Sequence, residues 1–131
     1  MNMISVTKRF HFCYGHFLPL HEGKCKRVHG HNAILDVEIG FSIEPYASSL
    51  PSHDGMVVDF GELKRNVEPF VDCLDHFLLN EVLPHLDPPT AENMVLWFVN
   101  QLRATYGDRL LRVRLYEQPD SYAEWRKGKE E

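Results

Sequence analysis

The stretch His29-Gly-His-Asn-Ala-Ile-Leu-Asp-Val-Glu-Ile-Gly-Phe-Ser-Ile-Glu44 decides the fold of this chain. From Ala33 onward, apolar residues alternate with mostly polar or small ones. A period of two is typical of an antiparallel strand that buries one face and leaves the other in water. His29 and His31 have the parity of the apolar face. If the strand extends back to them, both imidazoles point inward on the same side.

The flanking sequence predicts the other elements of an α+β domain. Asp59, followed three residues later by Glu62, has the pattern of a helix N-terminus, and Pro69 is expected to kink or split that helix. Thr90 is expected to cap a second helix. Further strands are expected at Ile4–Cys13, Leu111–Glu117 and Ser121–Trp125. The predicted order is β-β-α-α-β-β, in one domain that covers residues 1–131.

Composition narrows the functional class. The chain has 131 residues, a net charge of −5 and no apolar run that approaches a membrane span. The negative charge argues against non-specific binding to nucleic acid or to an anionic membrane. Three cysteines, Cys13, Cys25 and Cys73, without the pattern of a secretory signal, predict free thiols in the cytoplasm.

A metal site is the main functional prediction from the residues. His29 and His31 can bind one metal ion together, and His16 can supply a third imidazole from a neighbouring strand or turn. Three nitrogen ligands with one open position are the pattern of catalytic zinc.

Cys25 lies beside the two histidines in sequence, among Lys24, Lys26 and Arg27, and this cationic setting favours a reactive thiolate. The alternative is that Cys25 is the fourth ligand of a structural zinc site. Cys13 and Cys73 are interpreted as packing residues.

The sequence alone leaves open whether three acidic residues, Asp75, Glu92 and Glu117, have a structural or a functional role. Asp75-His76 is placed at the end of the first helix, where a histidine complements the helix dipole and neighbouring side chains point apart. Glu92 has the same dipole explanation in the first turn of the second helix. Glu117 has the inward parity of its strand, so its carboxylate needs a partner, unless the strand ends at Tyr116.

Taken together, the motifs resemble the 6-pyruvoyl-tetrahydropterin synthase and 6-carboxytetrahydropterin synthase (QueD) family. The resemblance runs from Phe10 to about Tyr122 and rests on the order and spacing of several motifs. They are Phe10-His-Phe-Cys-Tyr-Gly-His16, Cys25-x3-His29-Gly-His31-Asn32, Gly55-Met-Val-Val-Asp-Phe60, Leu74-Asp-His76, Pro89-Thr-Ala-Glu-Asn93 and Tyr116-Glu117.

The resemblance implies a tunnelling fold (T-fold). Its four-stranded antiparallel sheet has two helices between strands 2 and 3, and several subunits join their sheets into a β-barrel. The expected assembly is a homohexamer, a dimer of trimers, with active sites between subunits. The implied zinc ligands are His16, His29 and His31. The implied catalytic group, assembled between chains, is Cys25, Asp75 and His76. The implied pterin pocket contains Thr90, Glu92 and Glu117, with Glu117 as the anchor.

The spacing Cys-x3-His-Gly-His resembles the 6-carboxytetrahydropterin synthase branch. That branch implies a carbon–carbon lyase that converts 7,8-dihydroneopterin triphosphate to 6-carboxy-5,6,7,8-tetrahydropterin, acetaldehyde and triphosphate, on the route to queuosine. The alternatives are 6-pyruvoyl-tetrahydropterin synthase and a non-catalytic structural zinc domain. The chain departs from the family pattern at Cys13-Tyr14-Gly15, Phe17 and Gln118.

Overall fold

A computed structural model describes residues 2–50 and 53–128. Its strands are β1 (Asn2–His16), β2 (His29–Ile43), β3 (Phe77–Leu78), β4 (Leu110–Gln118) and β5 (Ser121–Arg126). Its helices are α1 (Phe60–Asp72), the single turn α2 (Leu79–Val82) and α3 (Ala91–Tyr106). Short 3-10 turns lie at Lys24–Lys26, His53–Gly55 and Gly107–Arg109. The strands form one sheet in the order β3-β1-β2-β4-β5.

The long antiparallel ladder between β1 and β2 forms the centre of the sheet. It pairs Asn2 with Ile43 at one end and His16 with His29 at the other. The strand predicted at Ile4–Cys13 is therefore longer than expected, and it carries His16 on its last residue. Gly40 permits the pairing, because a Cβ at this position would lie 2.4 Å from the carbonyl oxygen of Ile4.

The sheet has five strands instead of the four that were predicted. The antiparallel β1-β2-β4-β5 part agrees with the prediction, and the additional strand is β3, which pairs in parallel with Tyr14 and Gly15 of β1. Two residues are too few to show a hydrophobic period, so this strand leaves no signal in the sequence. Its position brings the chain segment that follows α1 against the end of β1.

The helices cover one face of the sheet. Asp59 caps α1 by accepting a hydrogen bond from the Gly61 N–H at 3.0 Å, and Thr90 Oγ1 caps α3 by accepting one from the Asn93 N–H at 3.1 Å. Both caps agree with the sequence. Pro69 does not split α1, because it lies near the C-terminal end and removes a single backbone hydrogen bond.

The two faces of the sheet differ in character, as the alternation predicts. The covered face is apolar and contains the buried side chains Phe12, Leu35, Val37, Ile39, Val113 and Leu115. The opposite face carries ion pairs, such as Arg9 with Asp36 at 2.8 Å and Arg114 with Glu124 at 2.6 Å. Within residues 2–50 and 53–128, no helix is both long and apolar enough to cross a membrane.

Candidate active site

Three imidazoles meet where the β1–β2 ladder ends. His16 is paired with His29, and His31 is paired with Tyr14, so all three rings lie on the covered side of the sheet. The Nε2 atom of His16 is 2.9 Å from Nε2 of His29 and 3.2 Å from Nε2 of His31. His16 is buried, and the other two are half-buried. The structure thus brings together the three histidines that the sequence analysis predicted as metal ligands.

The outer nitrogens of two of these rings face backbone carbonyls. His16 Nδ1 lies 2.8 Å from the Pro89 oxygen, and His29 Nδ1 lies 2.8 Å from the Arg27 oxygen. An Nδ1–H that donates to a carbonyl fixes the tautomer and leaves Nε2 as the lone-pair donor. Burial lowers the pKa of His16, and the two neighbouring imidazoles lower it further, against the opposite effects of the Pro89 carbonyl and Glu117. The neutral form, which is the one that binds metal, is therefore favoured.

The donor set fits zinc. Imidazole nitrogens are good zinc ligands, and three of them leave one coordination position open. The ligand atoms of His16, His29 and His31 lie within 4.8 Å of one another, and among the described residues this group does not include the sulfur of Cys25. Cys25 lies half-buried on the 3-10 turn Lys24–Lys26, and its carbonyl accepts a hydrogen bond from the Leu18 N–H at 2.8 Å. This geometry does not favour Cys25 as a fourth ligand.

Glu117 borders the histidine cluster. Its Oε1 accepts a hydrogen bond from the Tyr14 hydroxyl at 2.9 Å and lies 3.9 Å from Nε2 of His16. The interpretation that the strand ends at Tyr116 is wrong, because β4 continues to Gln118. The register between β4 and β5 shifts between Tyr116 and Gln118, and such a bulge re-aims the side chain it contains.

Tyr14 is a site residue that the sequence analysis missed. Its ring is buried and packs against His16 and His31, with ring centroids 5.2 and 5.5 Å apart. Burial and the adjacent Glu117 carboxylate raise the pKa of Tyr14, so the hydroxyl remains a donor to Glu117. The sequence signal was available, since Tyr14 shares the inward parity of Phe10, Phe12 and His16.

The two other residues assigned to a pterin pocket have different surroundings. Glu92, in the first turn of α3, lines a cleft of about 560 Å³ together with Glu117, Tyr122 and Trp125. Thr90 stands at the N-terminus of the same helix, where its hydroxyl accepts the capping hydrogen bond from Asn93. Glu92 and Glu117 therefore share a cleft, while the Thr90 side chain serves the helix end.

Asp75 and His76 meet directly, which corrects the expectation that they point apart. α1 ends at Asp72, so both residues lie in the turn beyond it and helical geometry does not apply. Asp75 Oδ1 accepts a hydrogen bond from the Cys13 N–H at 2.9 Å and lies 2.9 Å from Nδ1 of His76. The Cys13 N–H, and then His76, lower the pKa of Asp75. This carboxylate is therefore ionised and orients the ring.

One cleft borders both this pair and His31 of the histidine cluster. It measures about 670 Å³, and its walls include Cys13, His31, Asp75, His76 and Glu117. The His76 N–H donates to the Cys13 carbonyl, which ties the pair to β1. Asn80 of α2 makes two hydrogen bonds with the Phe17 backbone, which ties the following segment to the end of the same strand. Within the described part of the chain, Cys25 is not among the residues that line this cleft.

Comparison with known proteins gives consistent matches. Residues 5–128 match the family model described as 6-pyruvoyl tetrahydropterin synthase. A provisionally named 6-carboxy-5,6,7,8-tetrahydropterin synthase of Archaeoglobus fulgidus is 40% identical over 88% of this chain and 90% of its own. The 6-carboxy-5,6,7,8-tetrahydropterin synthase of Synechocystis sp. is 36% identical over 94% of this chain and 93% of its own.

Solved structures agree in fold. The 6-pyruvoyl tetrahydropterin synthase of Caenorhabditis elegans superposes with a TM-score of 0.78, at 22% identity, over 98% of both chains. The corresponding enzyme of Plasmodium falciparum gives a TM-score of 0.70, at 18% identity, over 95% of this chain and 98% of that one. The chain therefore has the T-fold that its motifs predicted.

Proposed function

The chain belongs to the 6-pyruvoyl tetrahydropterin synthase family, and on that premise we propose that it is a zinc-dependent 6-carboxy-5,6,7,8-tetrahydropterin synthase. The observation that carries the proposal is the cluster of three imidazoles with the Glu117 carboxylate beside it. The proposed substrate is 7,8-dihydroneopterin triphosphate, and the products are 6-carboxy-5,6,7,8-tetrahydropterin, acetaldehyde and triphosphate. The product would enter the synthesis of queuosine in the cytoplasm.

His16, His29 and His31 are the proposed zinc ligands. Bound there, zinc would supply Lewis-acid polarisation of the hydroxyl groups on the substrate side chain. The three rings are already assembled, and carbonyls hold the outer nitrogens of His16 and His29. Little rearrangement is therefore needed for the Nε2 atoms to face one ion.

Glu117 is the proposed anchor of the pterin ring. A carboxylate accepts two parallel hydrogen bonds from the amino and ring N–H groups of a pterin, and charged hydrogen bonds of this kind are strong. Tyr14 fixes one oxygen of Glu117 from below, which orients the carboxylate towards the cleft that Glu92 also lines. Glu92 and the helix end at Thr90 complete the proposed pocket.

Cys25, Asp75 and His76 are the proposed proton-transfer group. Asp75 holds Nδ1 of His76, which leaves Nε2 of a largely exposed ring to exchange a proton with the substrate. The Cys25 thiolate is the proposed base that removes a side-chain proton. Lys24, Lys26 and Arg27 are exposed beside it, and we propose them as contacts for the triphosphate.

Subunit assembly is part of the proposal, because Cys25 does not line the cleft of its own His76 within the described residues. We propose a homohexamer, a dimer of trimers, in which a second subunit supplies the thiol. In the described residues, β5 is an edge of the sheet and most of β1 is paired on one side only. Unpaired edges favour joining sheets into a barrel. Each subunit would be one domain of residues 1–131.

Product analysis is the direct test. Zinc-loaded protein is incubated with 7,8-dihydroneopterin triphosphate, and the products are identified by mass. The carboxylated pterin with acetaldehyde supports the proposal. A pyruvoyl product would place the chain with the relatives named 6-pyruvoyl tetrahydropterin synthase instead. Failure to turn over the substrate, with sulfur in the zinc shell by metal-edge spectroscopy, would indicate a structural zinc domain.

A further inference from the structure

A second group of metal-ligating atoms lies outside the histidine cluster. The sulfur of Cys13, a carboxylate oxygen of Asp75 and a ring nitrogen of His76 all lie within 4.8 Å of one another. Cys13 was interpreted from the sequence as a packing residue, but it is half-buried on the polar face of β1 and lines the 670 Å³ cleft. Its neighbour across the ladder is Asn32, whose Oδ1 lies 3.0 Å from the Cys13 sulfur.

The backbone holds these three side chains together. The Cys13 N–H donates to Asp75 Oδ1 at 2.9 Å, and the Cys13 carbonyl accepts from the His76 N–H at 2.6 Å. The segment of Cys13 and the turn of Asp75-His76 are thus tied at two points.

His76 has a φ of 65°, a left-handed conformation that is unfavourable for a residue other than glycine. The two hydrogen bonds with the Cys13 backbone therefore hold this turn in its unfavourable conformation.

The chemistry of these donors suits a borderline-soft divalent cation. Thiolate and imidazole are the ligands that select zinc over magnesium or calcium, and a carboxylate oxygen completes many zinc sites. Asp75 makes both of its described contacts through Oδ1, and Oδ2 is the oxygen that we assign to the ion. Asn32 Oδ1, which accepts a hydrogen bond from the Cys13 thiol at 3.0 Å, lies beside these donors.

We propose that Cys13, Asp75 and His76 form a second zinc site, separate from the histidine cluster and weaker than it. The site has one consequence that rests on the proposed function. An ion held there takes Asp75 and His76 out of proton transfer, so excess zinc inhibits the enzyme. Zinc would then have two opposite effects: it would activate the enzyme at the histidine cluster and inhibit it at the second zinc site.

Metal counting tests the site without any need for activity. Metal-free protein is titrated with Cd²⁺, by calorimetry for stoichiometry and by ultraviolet absorption for the thiolate-to-cadmium band. We expect two Cd²⁺ per chain and the thiolate band. Cys13→Ser should bind one Cd²⁺ and lose the band. His31→Ala should disrupt the histidine cluster and keep the band.

Two further cysteine variants are the matched controls. Cys73→Ser alters an exposed thiol at the end of α1 and should keep both ions and the band. Cys25→Ser should do the same. His76→Gln should weaken the second site by more than roughly 100-fold, since even residues that only orient a ligand contribute about 10–100-fold. Circular dichroism verifies that each variant is folded.

The outcomes separate the possibilities. One Cd²⁺ per chain in the unaltered protein overturns the proposal, as does a band that survives Cys13→Ser or disappears with Cys25→Ser. In the activity arm, added zinc should inhibit the unaltered protein and not Cys13→Ser. If the protein shows no synthase turnover at all, the proposed function fails, while the Cd²⁺ titrations still decide the second site.

Discussion

The hydrogen bond between Tyr14 and Glu117 gives a sharp prediction, because one atom can be removed without disturbing the packing. Tyr14→Phe keeps the ring that contacts His16 and His31 and deletes the hydroxyl that donates to Glu117 at 2.9 Å. The change should loosen the carboxylate proposed to bind pterin, while the three imidazoles remain assembled.

The size of the effect follows from burial. A hydrogen bond to a charged group contributes about 1.5–3 kcal/mol. Tyr14 is 3% exposed, but the Glu117 side chain is 27% exposed, so water replaces part of the lost bond. We therefore expect the free energy of unfolding to fall by about 1–1.5 kcal/mol, at or just below the lower limit of that range. Pterin affinity should fall by about three- to tenfold, since tenfold corresponds to about 1.4 kcal/mol.

Tyr106→Phe is the matched control. Tyr106 is also buried, and its hydroxyl accepts a hydrogen bond from Asn66 Nδ2 at 3.0 Å, far from the site along α3. The free energy of unfolding of Tyr106→Phe should fall by a similar amount, about 1 kcal/mol, while its pterin affinity stays unchanged. Urea unfolding and calorimetric titration with a pterin measure the two quantities. Equal pterin affinity for Tyr14→Phe and the unaltered protein would refute the positioning role of the hydroxyl.

The remaining predictions concern metal, chemistry, recognition and pH. His31→Ala should abolish stoichiometric zinc at the histidine cluster in a chain that stays folded, and full retention of that zinc by metal analysis would contradict the ligand assignment. Cys25→Ala should keep this zinc and pterin binding but lose roughly 10²–10⁴ in turnover, so near-normal product formation would exclude Cys25 as the base. Glu117→Gln should weaken pterin binding by about ten- to a hundredfold, the worth of a charged hydrogen bond, with unchanged zinc, as measured by titration. The lowered pKa of Asp75 means that its stabilising effect is present above its ordinary pKa near 3.8 and is lost as pH falls through the folded value. Asp75→Asn should therefore be less stable than the unaltered protein at pH 7, and a gap of equal size in acid, by urea unfolding, would argue against this linkage.

The sequence predicted those parts of the site that depend on local pattern. The alternation after Ala33 predicted β2 and, through parity, the shared direction of His29 and His31. The caps at Asp59 and Thr90 were predicted because capping chemistry acts within one turn. The position of His16 needed the full length of β1, which the sequence analysis ended three residues too early.

The features that were missed depend on contacts between distant segments. The Tyr14–Glu117 hydrogen bond joins residues 103 positions apart, and no local pattern reports it. β3 exists because Phe77 and Leu78 meet β1, and that pairing places Asp75 against Cys13. Cys13 was consequently interpreted as packing, and the proximity of its thiol to His76 emerged only from the fold.

The β1–β2 ladder makes metal binding a measure of strand alignment. Ligands from both strands sit at one end of it, while Gly40 opposes Ser5 near the other. A slip of one residue would turn every imidazole of one strand to the opposite face. A side chain at position 40, where the Ile4 oxygen leaves no room for a Cβ, would push the strands apart far from the histidines. Such a substitution would lower zinc binding although all three ligands are unchanged. The zinc content of a variant therefore indicates whether β1 and β2 are correctly paired.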